Sequence, residues 1–371
     1  MRIGIFAVMA GRQAGGPETY EHGLVEALAR VDTRNEYQVL CLDHTAARSF
    51  DVSSPNMRVR ALWPGSRVIS MSASLPWVLW RERIDLLHAT FTPPPVSPRP
   101  YVFTHHCFST FAHPEFYAPA IRLRLNALIV RGLKRARRII CVSENVRDLT
   151  AEKFRLPHER MPVVYNGVGP NFRPLDRELA RVEVARRYRV DAPFVLYVGK
   201  LESRKNIVRL LEAFRMFRAE IRAPYTLVLA GRRTPMSAGI DAAINSLGLR
   251  AHVIEIGHLP NADLPLLYNA AEMFALPSLW EGFGIPVVES MACATPVITS
   301  NVSSLPEVTD GAALLVDPYR IDDIGAAMLR LARDAPLRAT LAERGLRRAQ
   351  HFTWEQTARR TLAVYQDCHA D

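Results

Sequence analysis

Lysine is scarce in this chain: only four of its 47 basic residues are lysines, Lys134, Lys153, Lys200 and Lys205. Cysteine is scarce too. The five residues Cys41, Cys107, Cys141, Cys293 and Cys368 are odd in number, and no pair has metal-ligand spacing. That pattern excludes a disulfide framework and a zinc module, and suits reduced core thiols in a cytosol. No apolar run approaches the roughly 18 residues of a membrane-spanning helix. The first one, Ile3 to Ala10, is too short for a signal-peptide core and reads as a buried strand. Several motifs are also missing: the GxxxxGK[ST] phosphate loop, GxGxxG after the first strand, Asp-x-Asp, HExxH, GxSxG and Cys-x-x-Cys. The usual two-carboxylate metal grip on a nucleoside diphosphate is therefore lacking.

What is present is an average globular composition, 49% hydrophobic and 23% charged over 371 residues, a length that suits two domains. The net charge of +10 is unevenly spread. Residues 1–175 carry 23 Lys and Arg against 14 Asp and Glu, whereas residues 176–371 are almost neutral. A basic half is compatible with nucleic acid, with an anionic membrane surface, or with solubility alone. Without aromatic-interleaved basic stretches or a recognisable module, nucleic acid is not expected.

Short apolar runs alternate with helical stretches along nearly the whole chain. The expected strands are Ile3–Ala10, Tyr37–Asp43, Val59–Trp63, Ile84–Ala89, Tyr101–His105, Arg138–Val142 and Pro162–Tyr165. After a turn-rich segment, Gly167 to Pro174, they are Phe194–Val198, Tyr225–Ala230, Val253–Ile256, Met273–Leu276, Pro296–Thr299 and Ala312–Val316. Continuous apolar strands separated by helices predict α/β architecture with two doubly wound parallel sheets joined by a hinge near 167–192. Thr353-Trp-Glu-Gln356 is a capping-box pattern that opens a last helix through about His369. Ligands of such folds bind at the carboxyl ends of the strands, so two sheets suggest a cleft between them.

Candidate site residues cluster at those strand ends. The first strand leads into Gly15-Gly16-Pro17, where glycines let the backbone approach a ligand and a helix begins. The same pattern serves as a plain tight turn. Gly199-Lys200-Leu-Glu-Ser-Arg204-Lys205-Asn206 places three cations in six residues, using two of the four lysines, and suits a diphosphate. The block Pro277 to Glu289 contains Glu281-Gly-Phe283-Gly284-Ile285-Pro286 and Glu289. Proline belongs in a first helical turn, so the helix should begin near Ile285, with Glu281 in the loop before it and Glu289 in its opening turns. Two carboxylates beside a helix start suit the acceptance of hydrogen bonds from sugar hydroxyls. His105 and His106 end another strand. On a helical wheel, segment 121–138 gathers Arg124, Arg131, Lys134, Arg135 and Arg138 opposite Ile121, Leu125, Leu128, Ile129 and Ala136. That stripe suits either the solvated face of a core helix or electrostatic docking on an anionic membrane, and the shared sign of its five cations favours docking.

The block "EGFGIPVVESMACATPVITSNVSSLPEV", with "YVGKLESRKN" before it and "VYNGV" at the hinge, resembles the retaining glycosyltransferases of family 4, which have the GT-B fold. The look-alikes are bacterial mannosyltransferases of O-antigen and exopolysaccharide assembly. The resemblance implies an acceptor-binding domain over residues 1–168 with the helix 354–371 returning to it, and a donor-binding domain over 169–353. It implies that Gly15 and Gly16 contact the donor diphosphate or the acceptor, and that Lys205, aided by Lys200 or Arg204, neutralises the leaving diphosphate. Glu281 would hold the transferred sugar, Glu289 the ribose, and amides around Phe283, Gly284 and Ile285 the rest of the grip. His106 would lie near the sugar's reactive side, followed by Cys107 where relatives often carry Asp. The implied reaction is metal-independent transfer with retention. The donor is expected to be GDP-mannose, with no cofactor, and the acceptor a lipid-linked glycan at the inner face of the cytoplasmic membrane. An epimerase of nucleotide sugars with the same fold is the rival enzyme reading.

Overall fold

The computed structural model describes residues 1–191, 193–234, 237 and 239–370. It divides into two compact units: Met1–Gly167 with Thr353–Asp371, and Val168–Phe352. The strands of the first are β1 (Arg2–Ala7), β2 (Glu36–Cys41), β3 (Met57–Ala61), β4 (Leu86–Ala89), β5 (Tyr101–His105) and β6 (Arg138–Cys141). Those of the second are β7 (Phe194–Val198), β8 (Thr226–Ala230), β9 (Val253–Gly257), β10 (Met273–Leu276), β11 (Val297–Ser300) and β12 (Leu314–Val316). The sheets run β3-β2-β1-β4-β5-β6 and β12-β11-β10-β7-β8-β9, and all pairs are parallel. Counted from its own first strand, each unit has the order 3-2-1-4-5-6. Strands β4, β5, β7, β10 and β11 are buried along their whole length, as helices on both faces require.

In this topology the order reverses between a unit's first and fourth strands, and the loops there diverge to opposite faces and leave a crevice. The reversal lies between β1 and β4 in one unit and between β7 and β10 in the other.

The last helix, Trp354–Ala370, starts with the Thr353 hydroxyl accepting from the Gln356 amide at 3.2 Å. It docks on the first unit by close approach. A Cβ on Gly23, in the helix Gly16–Val31, would lie 2.2 Å from the Trp354 ring, so only glycine admits the indole there. Polar bonds reinforce the dock. The Thr357 hydroxyl donates to the Tyr165 carbonyl, and the Tyr365 hydroxyl meets His88 Nδ1 at 2.6 Å.

Three expectations need correction. β1 stops at Ala7, three residues early, because the amides of Val8, Met9 and Ala10 bond the Glu21 side chain instead of a neighbouring strand. Pro162–Tyr165 is not a strand but one parallel bridge, Cys141 to Val163. Proline has no amide to donate to a ladder, so the pairing does not extend. The basic helix is Pro119–Arg135: Ala136 turns to extended backbone and Arg138 opens β6. Its apolar side is only partly covered, with Ile121 49% exposed. Arg131 donates to the Pro95 carbonyl at 2.7 Å and is drawn inward. The exposed cations left on the helix face are Arg124, Lys134 and Arg135.

Candidate functional site

In the second unit the loops after β7 and β10 meet at the reversal point, and they carry most of the candidate residues. The β10 loop holds Glu281, buried at 6% exposure, and the β7 loop holds Lys205, buried at 9%. Lys205 Nζ donates to Glu281 Oε1 at 2.5 Å, and the Ser278 hydroxyl donates to the same oxygen at 2.7 Å. Arg204 Nη1 lies 3.3 Å from Glu281 Oε2 and also donates to the Trp280 carbonyl, while Nη2 pairs with Glu202. Burial alone would raise the Glu281 pKa. The charges of Lys205 and Arg204 and the two donated bonds outweigh it and hold the group at about 2. Glu281 is therefore an ionised acceptor across the physiological range. Burial lowers the pKa of Lys205, with Glu281 opposing, and lowers that of the half-buried Lys200.

Backbone chemistry fixes this constellation. Asn206 sits in the left-handed region (φ 63°) and caps the helix Ile207–Glu220. Its side-chain amide donates to the carbonyls of Pro277 and Pro318, tying three loops together. Four hydroxyls of the segment 299–304 hold the chain beside them. Thr299 donates to the Leu276 carbonyl, Ser300 to that of Ser278 and Ser304 to that of Glu281, while Ser303 accepts from the Glu281 amide. Both peptide groups of Glu281 are thus clamped.

The helix Ile285–Ala292 begins where Pro286 indicated. Gly284 caps it at φ 94°, and a Cβ there would lie 2.8 Å from Leu305, so both backbone and space demand glycine. The Phe283 ring is buried and packs edge-on against Phe352, so this side chain belongs to the core. Glu289 does not join Glu281. It is buried on the helix, where it accepts from the Tyr268 hydroxyl at 2.9 Å. Burial raises its pKa to about 7, with that hydrogen bond opposing.

This value sets a pH expectation. If Glu289 accepts from the donor ribose, as the resemblance implies, it should bind best when ionised, and the donor KM should rise as pH falls below about 7. The stability effect has the opposite sense. The folded pKa lies above the ordinary 4.5, so the contribution to stability is full below 4.5 and is lost as pH rises through about 7. Donor KM measured from pH 5.5 to 8.5 checks this, and Glu289→Gln should remove the step. A flat profile in the unsubstituted protein would count against the assignment.

In the first unit Gly15 (φ 72°) caps the helix Gly16–Val31 behind β1. Glu18 accepts from the amides of Arg12 and Ala14 and shapes the loop. Glu21 accepts from Val8, Met9 and Ala10 and sits 2.6 Å from the Thr90 hydroxyl, which is also 2.7 Å from the Phe6 carbonyl. Thr90 has one hydroxyl proton. If it goes to Phe6, which can only accept, Glu21 must supply the proton between itself and Thr90. Burial, opposed by these hydrogen bonds, raises its pKa to about 8, in keeping with a neutral acid.

Thr90 also receives the candidate histidine: His106 Nε2 lies 2.7 Å from its carbonyl, with the Tyr20 ring edge-on at 4.6 Å. Since a carbonyl only accepts, Nε2 carries the proton and Nδ1 keeps its lone pair. Burial lowers the His106 pKa to about 4, against the pull of that carbonyl. His106 is a neutral hydrogen-bond acceptor.

Sequence reasoning missed Glu21, Asn206, Ser278, Ser303 and Ser304. Only Asn206 had a local signal, as an asparagine that tolerates left-handed backbone before a helix. The others act through partners remote in sequence.

Two family models match the chain: glycosyltransferase family 4 over residues 14–172 and glycosyl transferases group 1 over residues 184–367. The O-antigen chain mannosyltransferase B of Escherichia coli is 34% identical over 267 residues, 71% of this chain and 69% of its own length. The serotype-specific mannosyltransferase WbdA of the same organism is 31% identical over 61% of this chain, which spans 28% of WbdA. Among solved structures, sucrose-phosphate synthase of Thermosynechococcus elongatus superposes with a TM-score of 0.80 at 23% identity, over 100% of this chain and 99% of that one. With its two six-stranded parallel sheets and strand-end site residues, the chain belongs to the family 4 glycosyltransferases of GT-B fold and is a sugar-transferring enzyme.

Proposed function

We propose that the protein transfers mannose from GDP-mannose, with retention and without a metal ion, to a lipid-linked or oligosaccharide acceptor in O-antigen or exopolysaccharide assembly. The observation that carries the mechanism is the buried Lys205–Glu281 pair at the β7/β10 reversal. The pair supports this reading because a buried cation suits a leaving diphosphate and an ionised carboxylate suits the acceptance of hydrogen bonds from sugar hydroxyls. Mannose is favoured by the O-antigen mannosyltransferase matched over most of both chains.

In this reading the second unit binds the donor and the first the acceptor. Lys205, with Lys200, stabilises charge as it develops on the diphosphate, which a fixed cation does without solvent reorganisation. Arg204 holds the two loops together through Trp280 and Glu202. Glu281 orients the sugar, Glu289 the ribose, and the backbone at Phe283, Gly284 and Ile285 lies against donor oxygens. Gly15 and Gly16 admit the diphosphate or acceptor, and His106 accepts a hydroxyl hydrogen at Nδ1. The acceptor oxygen attacks the anomeric carbon on the face from which the diphosphate departs. The bond from that carbon to the phosphate oxygen breaks, and the acceptor proton passes to the departing phosphate. A lipid-linked acceptor places the enzyme at the anionic inner face of the cytoplasmic membrane.

Thermal unfolding against a panel of nucleotide sugars tests the donor. A ligand at 100 times its Kd stabilises the folded state by about 2.7 kcal/mol. GDP-mannose and GDP should raise Tm, and UDP-glucose should not. Transfer to a mannose-ended lipid-linked acceptor should persist in excess EDTA. A preference for UDP-sugars would overturn the donor, and loss in EDTA restored by Mg²⁺ would overturn the role of the lysines.

A further inference from the structure

Three of the chain's five tryptophans face solvent within one short stretch: Trp63 is 84% exposed, Trp77 52% and Trp80 67%. Indoles so placed leave a large apolar area in water, and contiguous apolar surface on a folded chain marks an interaction site. The stretch is the link between β3 and β4 of the first unit. It forms a continuous helical run: an α-turn Arg67–Ile69, a π-turn Ser70–Ser74 and the helix Leu75–Arg81.

The π-turn decides which side chains share a face. At 3.6 residues per turn throughout, Val68 would lie about half a turn from Trp77. A wider turn over five residues shifts the phase by roughly a quarter turn and brings Val68 and Ile69 round toward the tryptophans. The burial pattern agrees. Ser70, Met71, Leu75, Val78 and Leu79 are buried, while Val68 (72%), Ile69 (50%), Trp77 and Trp80 are exposed. The run is amphipathic, with its inner face in the core and an outer face of tryptophan and aliphatic side chains.

Its charge is one-sided. Between Met57 and Arg83 there are five arginines and one acid, Glu82, which pairs with Arg60 at 3.1 Å. The Arg81 guanidinium lies 4.9 Å over the Trp77 ring. Arg67 is instead turned inward, its guanidinium donating to the Thr92 hydroxyl at 2.9 Å. Tryptophan favours the bilayer headgroup layer, where its ring is sheltered and its N–H stays wet, and arginine complements lipid phosphates. No helix among the described residues is long and apolar enough to cross a membrane.

We infer that the face carrying Val68, Ile69, Trp77 and Trp80 inserts into the interfacial layer of an anionic bilayer, with Arg81 against the lipid phosphates and Trp63 exposed on the loop just before the run. This deepens the membrane part of the proposed function. It replaces a dock held by the charge of the helix Pro119–Arg135 with one held by inserted side chains and steered by charge.

The test uses the full chain with vesicles of phosphatidylcholine alone or with 30% phosphatidylglycerol, and no nucleotide sugar, so failure of the donor assignment leaves it untouched. The unsubstituted protein should sediment with the anionic vesicles. Its tryptophan emission should shift to the blue and be quenched by brominated lipid. Trp77→Ser with Trp80→Ser should weaken partitioning at least tenfold and abolish most of the quenching, while thermal unfolding without vesicles shows that the fold survives. A Trp80→Phe variant should retain most of the binding, and Arg81→Glu should weaken it mainly at low salt. Unchanged partitioning by the double variant, or binding without a blue shift, would overturn insertion. So would light scattering that shows a dimer dispersed by the same substitutions, which would assign the face to a second copy of the chain.

Discussion

Replacing Glu281 with glutamine should lower kcat for sugar transfer about 10²- to 10³-fold, the usual cost of losing one preorganised electrostatic contact at a reacting group. The side chain keeps its shape and can still accept from Ser278, but it no longer neutralises Lys205, which sits at 2.5 Å in a buried site. If Glu281 orients the transferred sugar, as proposed, the loss should fall on kcat more than on donor KM, because the carboxylate then acts where charge develops in the transition state. The fold should persist at a lower Tm: Lys205 loses its buried partner, but the loop is also held through the clamped peptide groups of residue 281 and through Asn206. Steady-state transfer kinetics with a thermal melt of the same preparation give both readings. Wild-type turnover in a folded variant would remove Glu281 from the site.

The second large effect is expected at Lys205. Lys205→Met takes away the cation proposed to face the diphosphate and leaves buried Glu281 with Arg204 as its remaining ion-pair partner among the described residues. Breaking a buried ion pair from one side costs about 3–5 kcal/mol, because the remaining charge is uncompensated. Transfer should fall by at least 10³-fold, and Tm should fall as well. The two effects separate in the double variant Lys205→Met with Glu281→Gln. Removing both charges should restore much of the lost stability without restoring activity, a coupling that a double-mutant cycle measures directly. The pH profile gives a third reading. Glu281 has a folded pKa of about 2, below the ordinary 4.5, so its contribution is present above 4.5 and is lost as pH falls through about 2. Without Lys205 the folded pKa should rise, and the acid limb of stability should flatten. If single and double variants unfold at the same temperature, Lys205 and Glu281 are not energetically coupled and the assignment of the pair fails.

Much of this protein was determined by its sequence alone. Strands β5, β7 and β10 coincide with the apolar runs read for them, because a strand buried on both faces leaves a continuous hydrophobic signature. The start of the helix Ile285–Ala292 was legible for a local reason: Pro286 fits only a first turn, and Gly284 supplies the left-handed cap. The capping of the last helix by Thr353 is equally local. Tertiary structure decided whatever depends on which strands become neighbours. Lys205 and Glu281 are 76 residues apart and meet because β10 pairs with β7 across the reversal of strand order. Pairing of β11 with β10 sets the serines of 299–304 along the β10 loop, and packing of the helix Leu264–Ala270 on the helix Ile285–Ala292 brings Glu289 to Tyr268 rather than to Glu281. Likewise, β1 ends early because Glu21, one helical turn into the next element, takes its amides. A hydrogen bond between a side chain and a distant backbone leaves no periodicity behind. The outer face of residues 67–81 was hidden for a different reason: a single π-turn shifts the helical phase, and only the folded structure reveals it.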